Sequence, residues 1–276
     1  MFFDTHCHLN FEAFNGRVRE VIEAAKKSGV SNIIIPGTDV EMSKKAVEIA
    51  EKNQEVYAAV GIHPHHVYEF LKTLSQKQKS SLFLSQELKK IENLLNNKKI
   101  VAIGEIGIDR HIYQKTVYKV YKVEENFIKL QKEFLKEQIK LAIKYDKSLI
   151  LHNREAKKNT LEVLNEIWDK KLEGRSVFHC CEPDETLLEF AKQHRMFIGI
   201  DGDLVYRKEK QVFIKTVPLE MLVLETDSPF LSPTKQSLNE PKNIVLIAEF
   251  IAQLKNISIK KIAEMTTENA KELFRI

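Results

Sequence analysis

The chain has 276 residues, 43% of them hydrophobic and 30% charged, with a formal net charge of +4. That composition gives a sizeable core and an ordinary solvated surface, and no stretch reads as a signal peptide, transit peptide or membrane span, so a cytoplasmic protein is expected. Three cysteines (Cys7, Cys180 and Cys181) are too few for a disulfide framework and lack CxxC spacing, which leaves reduced thiols.

Along the chain, short β-branched runs alternate with longer stretches of helical period. Strands are expected at 1–9, 32–38, 56–64, 100–109, 148–153, 175–180, 196–202 and 221–229. Helices fall between them at 16–29, 41–53, 85–97, 125–146, 157–171, 184–194 and 206–216, and two more follow near 240–255 and 258–273. Asp184 stands as a cap before the run holding Leu187, Leu188 and Ala191. The strands are near-continuously apolar, as strands buried on both faces are. Eight such units predict an α/β fold, a (β/α)8 TIM barrel, in a single domain over 1–276.

Two connections are long, 65–85 and 110–123, and long loops in compact domains are usually functional or disordered. In the second, Tyr113, Tyr118 and Tyr121 interleave with Lys115, Lys119 and Lys122. Such a loop offers stacking and charge to a nucleic acid, or is an amphipathic surface hairpin. Between His111 and Lys147 nine Lys face five Asp and Glu, a surplus that suits phosphates or a solvated helix face.

Barrel enzymes carry their chemistry at the C-terminal ends of the strands. Those ends here hold His6 and His8, His63 and His65, Glu105 and Asp109, His152 and Arg154, His179, and Glu225 with Asp227. Residues two apart on a strand share a face, so His6 and His8 point one way and Cys7 the other; the same parity joins Glu105 with Asp109 and Glu225 with Asp227, and Cys180 is set opposite His179. Imidazole with carboxylate suits zinc, manganese and related divalent ions. Six such ligands exceed one tetrahedral ion and point to two.

The motifs HCHL (6–9), GIHPH (61–65), GEIGID (104–109), LHNREA (151–156), FHC (178–180) and ETDSP (225–229) stand in one order, followed by NEP (239–241) and TTENAKELF (266–274). In this order they resemble the TatD-type metal-dependent deoxyribonucleases over essentially the whole chain. The resemblance implies two divalent ions (Zn, Mn, Mg, Co or Ni), one held by His6, His8 and Asp227, the other by His152 and His179, with Glu105 bridging. It implies catalytic roles for Asp227, Glu105, Glu225 and His63, and substrate contacts at His63, His65 and Arg154. DNA is the implied substrate, cut as by an exonuclease through a water that the ions activate; a monomer is expected. The chain departs from the family pattern at Cys181, Glu182 and Pro183 after FHC, at Leu238 before NEP, and in a longer loop after Asp109.

Two other readings compete. The same site would serve a small-molecule or D-aminoacyl-tRNA ester, since a barrel with metals does not fix the substrate. Against the small-molecule amidohydrolases, the fourth strand presents Glu105 where a carboxylated lysine would stand. A non-catalytic scaffold fits worse, because every matched ligand position is filled.

Overall fold

The computed structural model describes residues 1–71, 77–116, 118, 121–235 and 237–276, with backbone alone over 77–83. Eight strands run parallel in sequence order: β1 (Phe2–Asp4), β2 (Val30–Pro36), β3 (Val56–Val60), β4 (Ile100–Asp109), β5 (Ser148–Arg154), β6 (Ser176–Phe178), β7 (Phe197–Ile200) and β8 (Leu222–Leu224). The chain just beyond β1 and β8 closes the cylinder. Thr5 N–H donates to Leu224 O at 3.0 Å, Asp227 N–H to His6 O at 2.9 Å and His8 N–H to Ser228 O at 2.8 Å. This is the (β/α)8 barrel expected from the sequence.

The surrounding helices are α1 (Val18–Lys27), α2 (Val40–Lys52), α3 (Tyr68–Leu71), α4 (Lys77–Leu94), α5 (Glu125–Tyr145), α6 (Lys157–Ile167), α7 (Glu185–Gln193), α8 (Lys208–Thr216), α9 (Ile244–Lys255) and α10 (Ile259–Phe274). Side-chain caps fix several starts: the Asp184 carboxylate accepts from Thr186 N (2.8 Å) and Leu187 N (3.0 Å), and Asp39 does the same for Met42 N (2.7 Å). None of the described helices is long and apolar enough to cross a membrane.

Strand alternation sorts the apolar residues into two layers. Phe3, Ile34, Ala59, Ala102, Ile150, Val177, Phe197 and Val223 fill the barrel interior, where Ala270, Leu273 and Phe274 of α10 plug the bottom. Their neighbours, among them Ile33, Leu149, Leu151, Ile198, Leu222 and Leu224, face the helices in the larger core. Each fully buried side chain of this size stabilises the fold by about 1.5–3 kcal/mol. The interior parity also aims the chemistry: two residues past Ile150, Val177 and Val223 stand His152, His179 and Glu225.

Three differences from the sequence reading have physical causes. Several strands stop short of their apolar runs, since β1 ends at Asp4 and β8 at Leu224, where the chain leaves the ladder to carry site residues. Asp227 takes a left-handed conformation (φ 51°), so Glu225 and Asp227 do not share a face by strand alternation. The 65–85 connection contains α3 and the start of α4, eight residues before the expected start at 85. Residues 77–81 (KQKSS) have no apolar period, but Lys and Gln are good helix formers. Residues 72–76 lie outside the described residues.

Strands β4 and β5 approach most tightly at Gly107, where an added Cβ would sit 1.9 Å from the carbonyl oxygen of His152. Backbone cannot yield as a flexible side chain can, so Gly107→Ala should destabilise the protein by about 3 kcal/mol or more. Urea unfolding measures this; a wild-type midpoint would refute the close approach.

Candidate metal centre and active site

Glu105, on β4, lies at the centre of the barrel mouth with 4% of its surface exposed. Its two carboxylate oxygens face different histidines. Oε2 lies 3.4 Å from His6 Nε2 and 3.7 Å from His8 Nε2. Oε1 lies 2.8 Å from His152 Nδ1, 3.4 Å from His63 Nε2 and 3.5 Å from His179 Nε2.

On the Oε2 side, Asp227 completes the group: its Oδ1 is 3.4 Å from His8 Nε2 and 3.8 Å from His6 Nε2, while the two Nε2 atoms are 3.2 Å apart. A tetrahedron with ligands at about 2.0–2.1 Å has edges of about 3.3 Å. His6, His8 and Glu105 bring one donor each within 4.8 Å of the others, a set that fits one divalent ion, and Asp227 borders it through the two histidines. The Oε1 side offers a second set, in which His63, Glu105 and His152 bring one donor each within 4.8 Å of the others. His63 thus stands among the second group of donors as well as at the cleft.

Outer contacts orient two of the histidines. His152 Nε2 lies 3.0 Å from Asp109 Oδ2, and His179 Nδ1 is 3.2 Å from Glu225 Oε1. Each contact leaves the other ring nitrogen turned towards Glu105, as outer carboxylates do for metal-binding imidazoles. Glu225 also accepts the Cys180 N–H, and it groups with His6 and His179. The Nδ1 atoms of His6, His8 and His179 have no well-formed hydrogen bond among the described residues, so Glu225 meets His179 by charge and proximity.

Burial alone would raise the Glu105 pKa, but the surrounding histidines, His63 and His179 foremost, hold it well below the usual carboxylate range. Burial likewise opposes charge on His152, yet Asp109 and Glu105 push its pKa up to about 9. His179 rises to about 10 against burial, through Glu225 and Glu105. Burial and the nearby His179 drive His6 down to about 4, so its ring is neutral at pH 7.

The centre opens into a cleft of about 540 Å³. Its walls include Phe11 and Phe230 on one side, with Phe11 stacked on His8 at 4.3 Å and Phe230 52% exposed. Tyr113, Lys115, Arg154 and His65 line it as well. Arg154 is exposed, donates to Tyr113 Oη at 3.3 Å and makes no ion pair with a described carboxylate. Arg207, also in the cleft, is neutralised by Glu182 (2.7 and 2.8 Å), Glu209 (2.8 Å) and Asp203 (3.2 Å).

The sequence-predicted residues His6, His8, His63, Glu105, His152, His179, Glu225 and Asp227 are thus brought together. His65 is set beside them, its Nε2 3.1 Å from Thr116 Oγ1 and its ring against Tyr118 and Tyr121 at 5.2 and 4.9 Å. Tyr118 is buried and Tyr121 packs against the core, so neither ring is presented for stacking on a base; Lys119 lies outside the described residues. Cys7 is buried in the outer core as expected. Cys180 is not on the far face of its strand: β6 ends at Phe178, Cys180 turns left-handed (φ 46°), and its thiol lies in the cleft wall, donating to Asp201 Oδ2 at 2.8 Å. Leu238 is 47% exposed and does not line the cleft, while Cys181 is buried.

Sequence reasoning gave no role to Phe11, Phe230 or the buried Lys210, which pairs with Asp201 at 2.7 Å and Asp203 at 2.6 Å behind the cleft. The available signals were an aromatic residue two positions after HCHL and another directly after ETDSP, and DGD just past the end of β7.

A family model described as TatD related DNase matches residues 3–275. The uncharacterized metal-dependent hydrolase YabD of Bacillus subtilis is 32% identical over 280 residues, covering all of both chains. Human deoxyribonuclease TATDN3 is 31% identical over 272 residues, with 98% of this chain and 93% of the relative covered. Among solved structures, YjjV, a TatD homolog from Escherichia coli, superposes with a TM-score of 0.83 at 28% identity, covering 100% of this chain and 98% of that one.

The geometry makes Glu105 the only described carboxylate with one oxygen on each set of histidines. Glu105→Gln should keep the fold, measured by circular dichroism, and lower the number of zinc ions bound per chain. Unchanged stoichiometry at unchanged affinity would contradict the shared-carboxylate arrangement.

Proposed function

The chain belongs to the TatD-related DNase family, and we propose that it is a two-ion hydrolase of DNA phosphodiesters, cutting from an end. At the coarser level it is a metal-dependent hydrolase, as relatives spanning the whole chain are named. The observation that carries the finer reading is the Glu105 carboxylate, with Oε2 on His6 and His8 and Oε1 on His63, His152 and His179.

His6, His8 and Asp227 would hold one ion and His152 and His179 the other, with Glu105 between them. Two divalent ions so held supply a water of lowered pKa and neutralise charge on a phosphoryl group. Asp227 sits at the cleft side of its set and accepts the proton of the attacking water. Glu225, behind His179, keeps that ring turned to the site. His63, whose side chain is only 12% exposed but borders the cleft, donates to a phosphoryl oxygen or the leaving group. Arg154, free of carboxylates, takes a phosphate, which suits its planar fork of donors. No Ser or Cys nucleophile is needed.

Two experiments test this reading. Metal-stripped protein is restored with Mg, Mn or Zn and given end-labelled single-stranded DNA, beside an Asp227→Asn control. Metal-dependent shortening that is lost in the variant is expected, and the surviving label gives the polarity. No cleavage with ions bound would overturn the DNA assignment and move the substrate to a small-molecule or D-aminoacyl-tRNA ester. In the second, Arg154→Ala should raise KM for DNA about tenfold or more, the worth of a charge-assisted hydrogen bond; an unchanged KM would remove Arg154 from the phosphate site.

A further inference from the structure

Asp109 is fully buried at the end of β4, and its carboxylate is saturated. Oδ1 accepts the His111 N–H at 2.7 Å. Oδ2 accepts the Tyr113 hydroxyl at 2.7 Å and faces His152 Nε2 at 3.0 Å. The backbone of Asp109 is fixed as well: its N–H donates to Gln131 Oε1 at 2.8 Å, and its carbonyl accepts Gln131 Nε2 at 3.1 Å.

We propose that Tyr113, in the loop after β4, is a positioning residue for the second ion site, holding Asp109 so that His152 faces that site through Nδ1. The inference rests on the two-ion reading. Without an ion, the Nδ1 turned to Glu105 at 2.8 Å carries a proton; an ion that takes that proton's place would find the Nδ1 lone pair, because the Nε2–H stays with Asp109. Asp109 thus selects both tautomer and ring angle. Without the Tyr113 hydroxyl, Oδ2 keeps His152 alone, and the carboxylate can swing about its remaining His111 anchor.

The loop is tied down firmly enough to do this. His111 Nδ1 lies 2.6 Å from Glu155 Oε1, Thr116 Oγ1 lies 3.1 Å from His65 Nε2, and Lys122 N–H donates to Tyr68 Oη at 3.3 Å. The Tyr113 ring packs against His65 at 5.2 Å. It also carries the Arg154 guanidinium, whose central carbon lies 5.2 Å from the ring centroid. One residue of the loop therefore touches both the anchor of a metal-facing histidine and the cation offered to a phosphate.

The test is binding, without turnover. Metal-free wild type and Tyr113→Phe are titrated with zinc against a chromophoric chelator, and the melting temperature of each metal-free protein is recorded. Wild type should take up two ions. Tyr113→Phe should bind one of them about tenfold or more weakly and the other as wild type does, with an unchanged metal-free melting temperature. Wild-type affinity for both ions in the variant would overturn the inference while leaving the two-ion reading intact. Equal losses at both ions with a lowered melting temperature would overturn it too, by showing a merely structural role. Wild type that takes up a single ion would overturn the two-ion reading itself, and this inference with it.

Discussion

A carboxylate withdrawn from water at the mouth of a barrel must be compensated, and Glu105 has five imidazoles within 3.7 Å to do it. Those imidazoles cannot all answer by taking protons. His6 and His8 present their Nε2 atoms to each other at 3.2 Å, and the rings of His6 and His179 stack at 3.6 Å. Burial first, and then the repulsion two protonated rings so placed would feel, drive His6 to the neutral form. The donor set is therefore over-supplied with lone pairs and short of positive charge. Divalent cations would meet both demands, and the two oxygens of Glu105 face two separate sets of donors.

The fold makes this cluster at its seam. His6 and Asp227 meet where the first and last strands close the barrel, joined by the Asp227 N–H to His6 O bond of 2.9 Å. Just below them, Asp4 accepts from Thr226 N–H at 3.0 Å and from the Thr226 hydroxyl at 2.6 Å. An ion held as proposed by His6, His8 and Asp227 would help keep the cylinder closed, because a ligand that binds only the folded site stabilises the fold. The second group of donors is spread over β5 and the ends of β3 and β6, away from the seam. It depends instead on outer supports, Asp109 behind His152 and Glu225 behind His179.

How much of this was legible in the sequence follows from what strand periodicity encodes. Short β-branched, near-continuously apolar runs placed the eight strands, and their C-terminal ends, two residues past Ile150, Val177 and Val223, reached His152, His179 and Glu225. That placement failed where the chain stops being a strand. Asp227 reaches the site from a left-handed residue and Cys180 reaches the cleft wall the same way, and neither conformation leaves a periodic trace. The start of α4 was hidden because KQKSS is helical by propensity without an apolar stripe. The packing of the loop at 110–123 was hidden for a related reason: tyrosines alternating with lysines look amphipathic and exposed, but Tyr118 and Tyr121 close over His65 and Tyr68. Which of two carboxylates stands behind which histidine is a matter of distances across strands, beyond the reach of spacing along one.

Under the proposed function one buried carboxylate, that of Glu105, is shared by two divalent ions. Anomalous diffraction from crystals grown with manganese or zinc tests it most directly. Two peaks about 3.5–4 Å apart flanking Glu105 are expected, one against His6, His8 and Asp227 and one against His152 and His179. A single peak, or a pair that leaves Glu105 uncoordinated, would contradict it.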